Sequence, residues 1–286
     1  MSTVYRYDYN LVTAGGIHME SDKARGRAEL SGKATKVLDA RTLADSHKRL
    51  AQLLAKGMAV LDIGCGTGAI TRGIATVTGP TGRAVGTDNN PALIEKAKQA
   101  CGDTPGLHFD ICDIYALPYE DEFDIVTSSR VLQWLSDPLE ALRAMKASAK
   151  PGGRALILDY NHEKIVWEPE PPASMKLFYS AFLRWRSDAG MNNAIADRLA
   201  DLFREVGFQH IVATPQHELS RRGDPDFVRR IGIWAEVAAS RGLQMVKDGY
   251  LTENERAQAE TEYRTWIEAT AVSHTMYLLA VEGVKA

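Results

Sequence analysis

Three glycines at alternate positions, Gly64, Gly66 and Gly68, follow the run Val60-Leu61-Asp62-Ile63. A buried parallel strand would stop at Ile63 and turn sharply into a helix beginning near Ala69. Glycines at such a turn let a ligand come close to the backbone, because no Cβ stands in the way. Asp62 adds a negative charge beside that ligand, which suits a cationic, amino-acid-bearing nucleoside better than a pyrophosphate. Gly64, Gly66 and Ala69 also satisfy the dinucleotide pattern G-x-G-x-x-G/A, so a nicotinamide cofactor stays open on the loop alone. Further polar residues fall just past predicted strands: Asp88, Asp113, Ser129 and the run Tyr160-Asn161-His162.

Those residues need a frame, and the chain supplies one by alternation. Strands are predicted over Ala59–Ile63, Arg83–Thr87, Leu107–Ile111, Phe123–Ser128 and Arg154–Asp159, with helices between them. The helices carry end signals: Asn90 before Pro91, Asp137 before Pro138, and Gly102 and Gly153 beyond. Five such strands imply an α/β, doubly wound, mostly parallel sheet, whose ligands bind at the carboxyl ends of the strands. A helix over about 35–56 ends at Gly57. After strand five come an irregular stretch over 163–192, a helix at Ile195–Val206, a strand over about 209–219, a helical stretch from Asp224 to Thr270, and a last strand, Ser273–Glu282. The large residues of 224–270, among them Trp234 and Trp266, alternate with charges as in an amphipathic cap or a dimer surface.

Composition narrows the class. The chain has 286 residues, 45% hydrophobic and 25% charged, with a formal net charge of −3. That balance is ordinary for a globular protein and offers no basic field for nucleic acid or anionic lipid. Cys65, Cys101 and Cys112 have no metal-ligand spacing and read as buried thiols in a reducing compartment. The first thirty residues are polar and carry Asp8, Glu20 and Asp22, and no apolar run approaches the roughly 20 residues of a membrane span. The expectation is a cytoplasmic protein without metal, membrane or nucleic-acid partner.

The pieces V-L-D-I-G-C-G-T-G, G-T-D-N-N-P, C-D-I-Y-A-L-P-Y-E-D-E-F-D-I-V, V-L-Q-W-L-S-D-P and K-P-G-G-R follow one another over about residues 57–160. In that order and at those intervals the sequence resembles the class I S-adenosylmethionine-dependent methyltransferases, nearest to the branch acting on small molecules. The resemblance implies a Rossmann-like, seven-stranded sheet and S-adenosylmethionine as methyl donor, with S-adenosylhomocysteine as product. It also implies roles. Gly64 and Gly66 would lie against the methionine moiety, with Asp62 near its ammonium. Asp88 would hold the ribose diol and Asn89 would flank the adenine. Asp113 would accept from the adenine amino group while Ile114 packs on the ring, and Ser129 and Arg130 would sit where the methyl points. The run Val131-Leu132-Gln133-Trp134 departs from the paired histidines commoner in the family.

Methyl transfer from a sulfonium needs binding, in-line orientation and sometimes proton removal. His162 is the candidate base, since its ordinary pKa suits work near neutrality. Trp134 is a candidate substrate wall, and Tyr160 a candidate partner for an acceptor hydroxyl. Residues 1–56 would cover the cofactor site, and 57–286 would form the methyltransferase domain, with insertions at 163–192 and 224–270 making a cap over a small-molecule acceptor. A homodimer, a non-catalytic binder of the same nucleoside and an NAD-dependent oxidoreductase are the rival expectations.

Overall fold

The structure, a computed structural model, describes residues 17–28, 39–101 and 104–286. Gly102 and the first part of the helix expected over 35–56 lie outside those residues.

Five strands form the parallel half of the sheet: β1 (Ala59–Ile63), β2 (Arg83–Asp88), β3 (Leu107–Ile111), β4 (Phe123–Ser129) and β5 (Ala149–Glu168). Their order is β3-β2-β1-β4-β5, so the chain reverses direction across the sheet between β1 and β4. β1 is held on both sides, Asp62 facing Gly86 of β2 and Thr127 of β4 in register. Val60, Leu61 and Ile63 are all buried, as expected of a strand covered by helices on both faces. The antiparallel half adds β6 (Gln209–Pro215), a short β7 (Glu218–Arg221) and β8 (Ser273–Val284), with β5, β6 and β7 each paired antiparallel to β8. Helices α4 (Ala69–Thr78), α5 (Pro91–Cys101), α6 (Pro138–Ser148) and α8 (Ile195–Val206) cover the sheet. The predicted caps hold: Asp137 accepts from the Glu140 amide at 3.0 Å, and Asn90 from the Ala92 amide at 3.0 Å.

Three expectations need correction. The sheet has eight strands, because the predicted strand over 209–219 breaks at Gln216 and His217 into β6 and β7. The His217 ring instead accepts from the Leu278 amide at 3.2 Å. The described part of the helix predicted over 35–56 holds two short helices, α2 (Leu43–Ser46) and α3 (Lys48–Leu53), interrupted at His47, whose ring is buried against the Thr127 hydroxyl at 3.2 Å. Residues 163–168 are not irregular: β5 continues to Glu168 beside β8, with a register irregularity between Asn161 and Val166.

The remaining helices lie in the segments where a cap was expected: α7 (Ala173–Ser187), α9 (Phe227–Ile231), α10 (Ile233–Ala239), α11 (Arg241–Lys247) and α12 (Glu253–Ala269). α12 opens with a capping box between Thr252 and Glu255. These helices have no core of their own. Phe178, Phe182, Trp234 and Tyr263 pack in one cluster with Leu156 and Leu158 of β5 and Leu278 and Ala280 of β8. Tyr179 and Trp234 meet edge to face at 4.6 Å, and the Trp167 indole donates to the Tyr263 hydroxyl at 2.9 Å. Among the described residues no helix is long and apolar enough to cross a membrane.

A shared core predicts joint unfolding. Phe182→Ala should destabilise the protein by roughly 3–5 kcal/mol. In urea, far-ultraviolet dichroism and tryptophan fluorescence should still report one coincident transition.

Candidate active site

At the carboxyl ends of β1, β2 and β4 the wall bends round a cavity of about 620 Å³. Its shape starts with the glycine turn. The Gly64 and Cys65 amides both donate to the Thr87 carbonyl of β2, at 2.7 and 2.9 Å. Gly64, Gly66 and Gly68 have φ of 70°, 57° and 76°, the left-handed region in which a side chain is strained. A Cβ on Gly64 would stand 2.3 Å from a Val131 methyl, and one on Gly68 would stand 2.6 Å from the Phe109 ring. The turn therefore needs glycine first for backbone conformation and packing at these positions. The expected room for a ligand is an addition to that requirement.

Two carboxylates face this turn. Asp62 is buried and accepts from the Thr71 hydroxyl at 2.7 Å. Burial pushes its carboxyl up to about 7; the Thr71 bond opposes the shift and the nearby Asp88 charge adds to it. Asp88, at the end of β2, accepts from the Gly66 amide at 3.0 Å and the Asn90 amide at 2.9 Å. Burial raises its pKa too, against those amide bonds. One backbone donor comes from the glycine turn and one from the start of α5, so the carboxylate is fixed in place before any ligand arrives.

Most of the sequence candidates meet here. Asp62, Gly64, Gly66, Asp88, Asn89, Ile114, Ser129, Arg130 and Trp134 all line the cavity. Asp113 does not. One of its oxygens accepts from the Tyr115 amide at 3.0 Å, and the other pairs with Arg25 of α1 (Ile17–Ala28). Tyr160 and His162 also stay off the cavity wall. The Tyr160 hydroxyl accepts from Arg130 Nε at 2.9 Å. The His162 ring is buried, 2.7 Å from the Gln133 amide oxygen and edge to face with Phe182 and Trp234. Burial drives its pKa well below the usual range, with Arg186 adding to the effect. In this arrangement it is a neutral core imidazole that touches no cavity surface.

Residues not singled out from the sequence complete the wall: Arg25 and Ala28 of α1, Arg41, Cys65, Cys112 and Arg241. Only tertiary folding brings α1 and α11 here, so no local periodicity marks them. Thr71 is different, for it follows the turn by one residue beyond Ile70 and could have been sought as a partner for Asp62.

Arg130 is the strained member. It has φ of 63° without being glycine, and its amide donates to the Leu158 carbonyl at 2.7 Å. That conformation turns the side chain into a buried cluster. The guanidinium donates to the Ser129 hydroxyl at 2.7 Å, to the Ser46 carbonyl at 3.1 Å, and to Glu218 of β7. The ion pair holds the Glu218 carboxyl below its usual range, outweighing its partial desolvation.

A parallel sheet with a glycine turn after its first strand, a carboxylate fixed at the end of its second and a cavity between them defines a nucleoside-binding α/β protein. Residues 54–196 match the family described as methyltransferase domain, and the chain belongs to that family, the class I S-adenosylmethionine-dependent methyltransferases. It is 36% identical over 154 residues to the ubiquinone/menaquinone biosynthesis C-methyltransferase UbiE of Burkholderia vietnamiensis. That match covers 52% of this chain and 60% of the relative. It is also 30% identical over 155 residues to a 37.1 kDa protein of transposon TN4556 from Streptomyces fradiae, covering 53% of this chain and 44% of that one. The chain thus spans about half the length of the curated relatives it matches. Among solved structures, the YcgJ protein of Bacillus subtilis superposes with a TM-score of 0.54 at 17% identity, covering 85% of this chain and 98% of that one. This last likeness establishes the fold.

Glu218→Gln removes the charge facing a guanidinium that is 4% exposed. The expected loss of stability is about 2 kcal/mol, below the roughly 3–5 of a fully buried pair because Glu218 keeps contact with solvent. Because the Glu218 pKa is lowered in the fold, its contribution is present above the ordinary glutamate pKa and disappears as pH falls below it. Urea titrations of both proteins at pH 7 and at pH 3.5 should show the gap shrinking at the lower pH.

Proposed function

We propose that this protein transfers a methyl group from S-adenosylmethionine to a small-molecule acceptor at an oxygen, nitrogen or carbon atom. The observation that carries the reading is Asp88, a carboxylate fixed by two backbone amides at the end of β2 and open to the same cavity as Asp62 and the glycine turn. The donor fits on two further grounds. The left-handed glycine turn leaves a side-chain-free ledge at Gly64 and Gly66 for the methionine moiety. The buried Asp62, with a single hydroxyl donor among the described residues, is a carboxylate ready to take an ammonium. Bound there, the cofactor supplies a sulfonium whose methyl is already activated for transfer.

The chain's own part is binding and alignment. Asp62 and Asp88 fix the two ends of the nucleoside amino acid, and Asn89 and Ile114 border the place of its base. Ser129, Arg130 and Trp134, at and beyond the end of β4, face the acceptor. Among the described residues His162 does not reach this space, so the proposed acceleration rests on orientation within a cavity that α1 and α11 close from above. The similarity to a quinone C-methyltransferase supports a small planar acceptor. The rival nicotinamide reading would put a diphosphate against Asp62, where the two negative charges repel.

Calorimetry with S-adenosylhomocysteine tests the donor site. Asp88→Ala should weaken binding at least about tenfold, or about 1.4 kcal/mol, through the lost ribose hydrogen bonds. Unchanged affinity in a folded variant, or binding of NADH in its place, would overturn the reading. Labelled donor with an acceptor library then separates an enzyme from a silent binder.

The Asp62 carboxyl gives a pH signature. Its pKa near 7 in the free protein means that an ammonium must displace a proton below that pH. Affinity should hold above pH 7 and fall by about tenfold per unit as pH drops below it, one proton being released per site on binding. Asp62→Asn should bind weakly at every pH and lose that slope; a slope retained in the variant assigns it to another group.

A further inference from the structure

The cavity wall is unevenly charged. Arg25 is paired with Asp113 and Arg130 with Glu218, so each of these couples is neutral. What remains is Asp62 and Asp88 on the side of β1 and β2, and Arg41 and Arg241. Among the described residues Arg241 hydrogen-bonds only to backbone carbonyls, those of Arg27 and Ala28 at the end of α1. The carboxylates that influence Arg41, Glu218 and Asp159, act on it through space and not through a hydrogen bond. Burial pushes both guanidinium groups down to about 10, the direction expected of a cation waiting for an anion.

The placement of Arg241 is specific. Its guanidinium lies over the Trp134 ring, 4.0 Å from the centroid, and that of Arg186 lies over the same ring at 4.5 Å. Trp134 follows β4 directly after Ser129 and Arg130, the acceptor end of the cavity in the reading above. Arg186 is buried, donates to the Asn193 side chain and the Gln133 carbonyl, and leaves one nitrogen without a partner among the described residues. Two cations thus lie against one indole, and among the described residues no carboxylate is hydrogen-bonded to either. A cation over an indole is favourable, but a second one nearby repels it, and Arg241 is among the groups that lower the Arg186 pKa.

A methyl donor brings an ammonium, a sulfonium and a carboxylate, a net single positive charge. Set against Asp62, Asp88, Arg41 and Arg241, the loaded cavity holds one more positive charge than negative. A neutral acceptor would leave that excess beside guanidinium groups already desolvated by burial, where an unbalanced charge is costly.

We propose that the acceptor is an aromatic or similarly planar anion, its carboxylate-like group received by Arg241 while its ring lies beside Trp134. The inference rests on the methyl-donor reading of the same cavity and adds the acceptor's charge. Guanidinium suits this task because its planar fork matches a carboxylate with two parallel hydrogen bonds.

The test uses matched probes on the full chain saturated with S-adenosylmethionine, whose sulfonium supplies the surplus positive charge. Benzoate against benzamide and salicylate against salicylamide differ in charge and little in shape. Calorimetric titration should show each acid binding at least about tenfold more tightly than its amide, a preference that declines as salt rises. In Arg241→Gln the preference should vanish while S-adenosylhomocysteine affinity stays within about twofold. Arg241→Lys, which keeps the charge, should retain part of it. Salt dependence in the unaltered protein keeps the test decisive if Arg241→Gln fails to fold. Acids and amides binding alike would overturn the proposal, as would a preference that persists in Arg241→Gln. A large loss of S-adenosylhomocysteine affinity in that variant would instead give Arg241 to the donor's carboxylate and overturn it as well. If the unaltered protein binds no S-adenosylhomocysteine, the donor reading fails first and this proposal falls with it.

Discussion

Asp62 places a carboxylate at the end of a strand buried on both faces, and much of the molecule follows from that placement. A charge there is opposed by desolvation, which is why its proton is held to about pH 7. The fold gives it one hydroxyl, from Thr71, and no cation. The backbone beyond it turns through three left-handed glycines, so that α4 starts immediately and brings Thr71 within reach. Asp88 stands close enough to raise the Asp62 pKa further, yet it is itself secured by two amides. Two acids without a cation between them are stable enough to fold but best satisfied by a positively charged ligand. The destabilised ground state of the empty site and its affinity for an ammonium are one property.

The opposite wall has the complementary construction. Arg130 adopts a backbone conformation that costs about 1–2 kcal/mol for a residue with a side chain. The compensation is a guanidinium that ties β4 to α2 through Ser46, to β5 through Tyr160 and to β7 through Glu218. Beneath it lies Gln133, part of the run Val131-Leu132-Gln133-Trp134. Its amide nitrogen donates to the Arg130 carbonyl at 3.1 Å and its amide oxygen meets His162. Its backbone amide donates to Asp159 and its carbonyl accepts from Arg186. This buried polar network fixes the floor on which Trp134 sits, and it explains why an imidazole just past β5 serves the core.

What could be read from the chain follows the range of the forces involved. The glycine turn, Asp62, Asp88 and the Asn90-Pro91 start of α5 are local, each set within a few residues of a strand end, and the structure places them as expected. Asp113 was legible as a residue past β3, but its orientation depends on Arg25, some ninety positions away in the chain. His162 looked catalytic because position past a strand is a local signal, whereas Gln133 and Trp234, which enclose it, come from distant elements. Arg41 and Arg241 had no sequence signal at all. An arginine in a helical stretch reads as a solvated face unless the docking of that helix is known. The split of β6 from β7 was equally hidden, since only pairing with β8 reveals it.

If the proposed acceptor site is right, the helices above it link acceptor specificity to stability. Phe182, Trp234 and Tyr263 pack into the same cluster as Leu156, Leu158 and Leu278, so these helices cannot detach without uncovering the sheet. Arg241 projects from the first position of α11, and Gly242 next to it is buried where a Cβ would stand 2.9 Å from Arg256 and 3.2 Å from Phe178. The guanidinium over Trp134 is therefore held by a backbone wedged against the aromatic core, and α1 completes the clasp through the Arg27 and Ala28 carbonyls. Rigid placement of this kind lowers the entropy lost when an acceptor is bound. It also means that a change in acceptor preference made by moving α11 would have to be accommodated by the core, whereas one made at the tip of residue 241 would not.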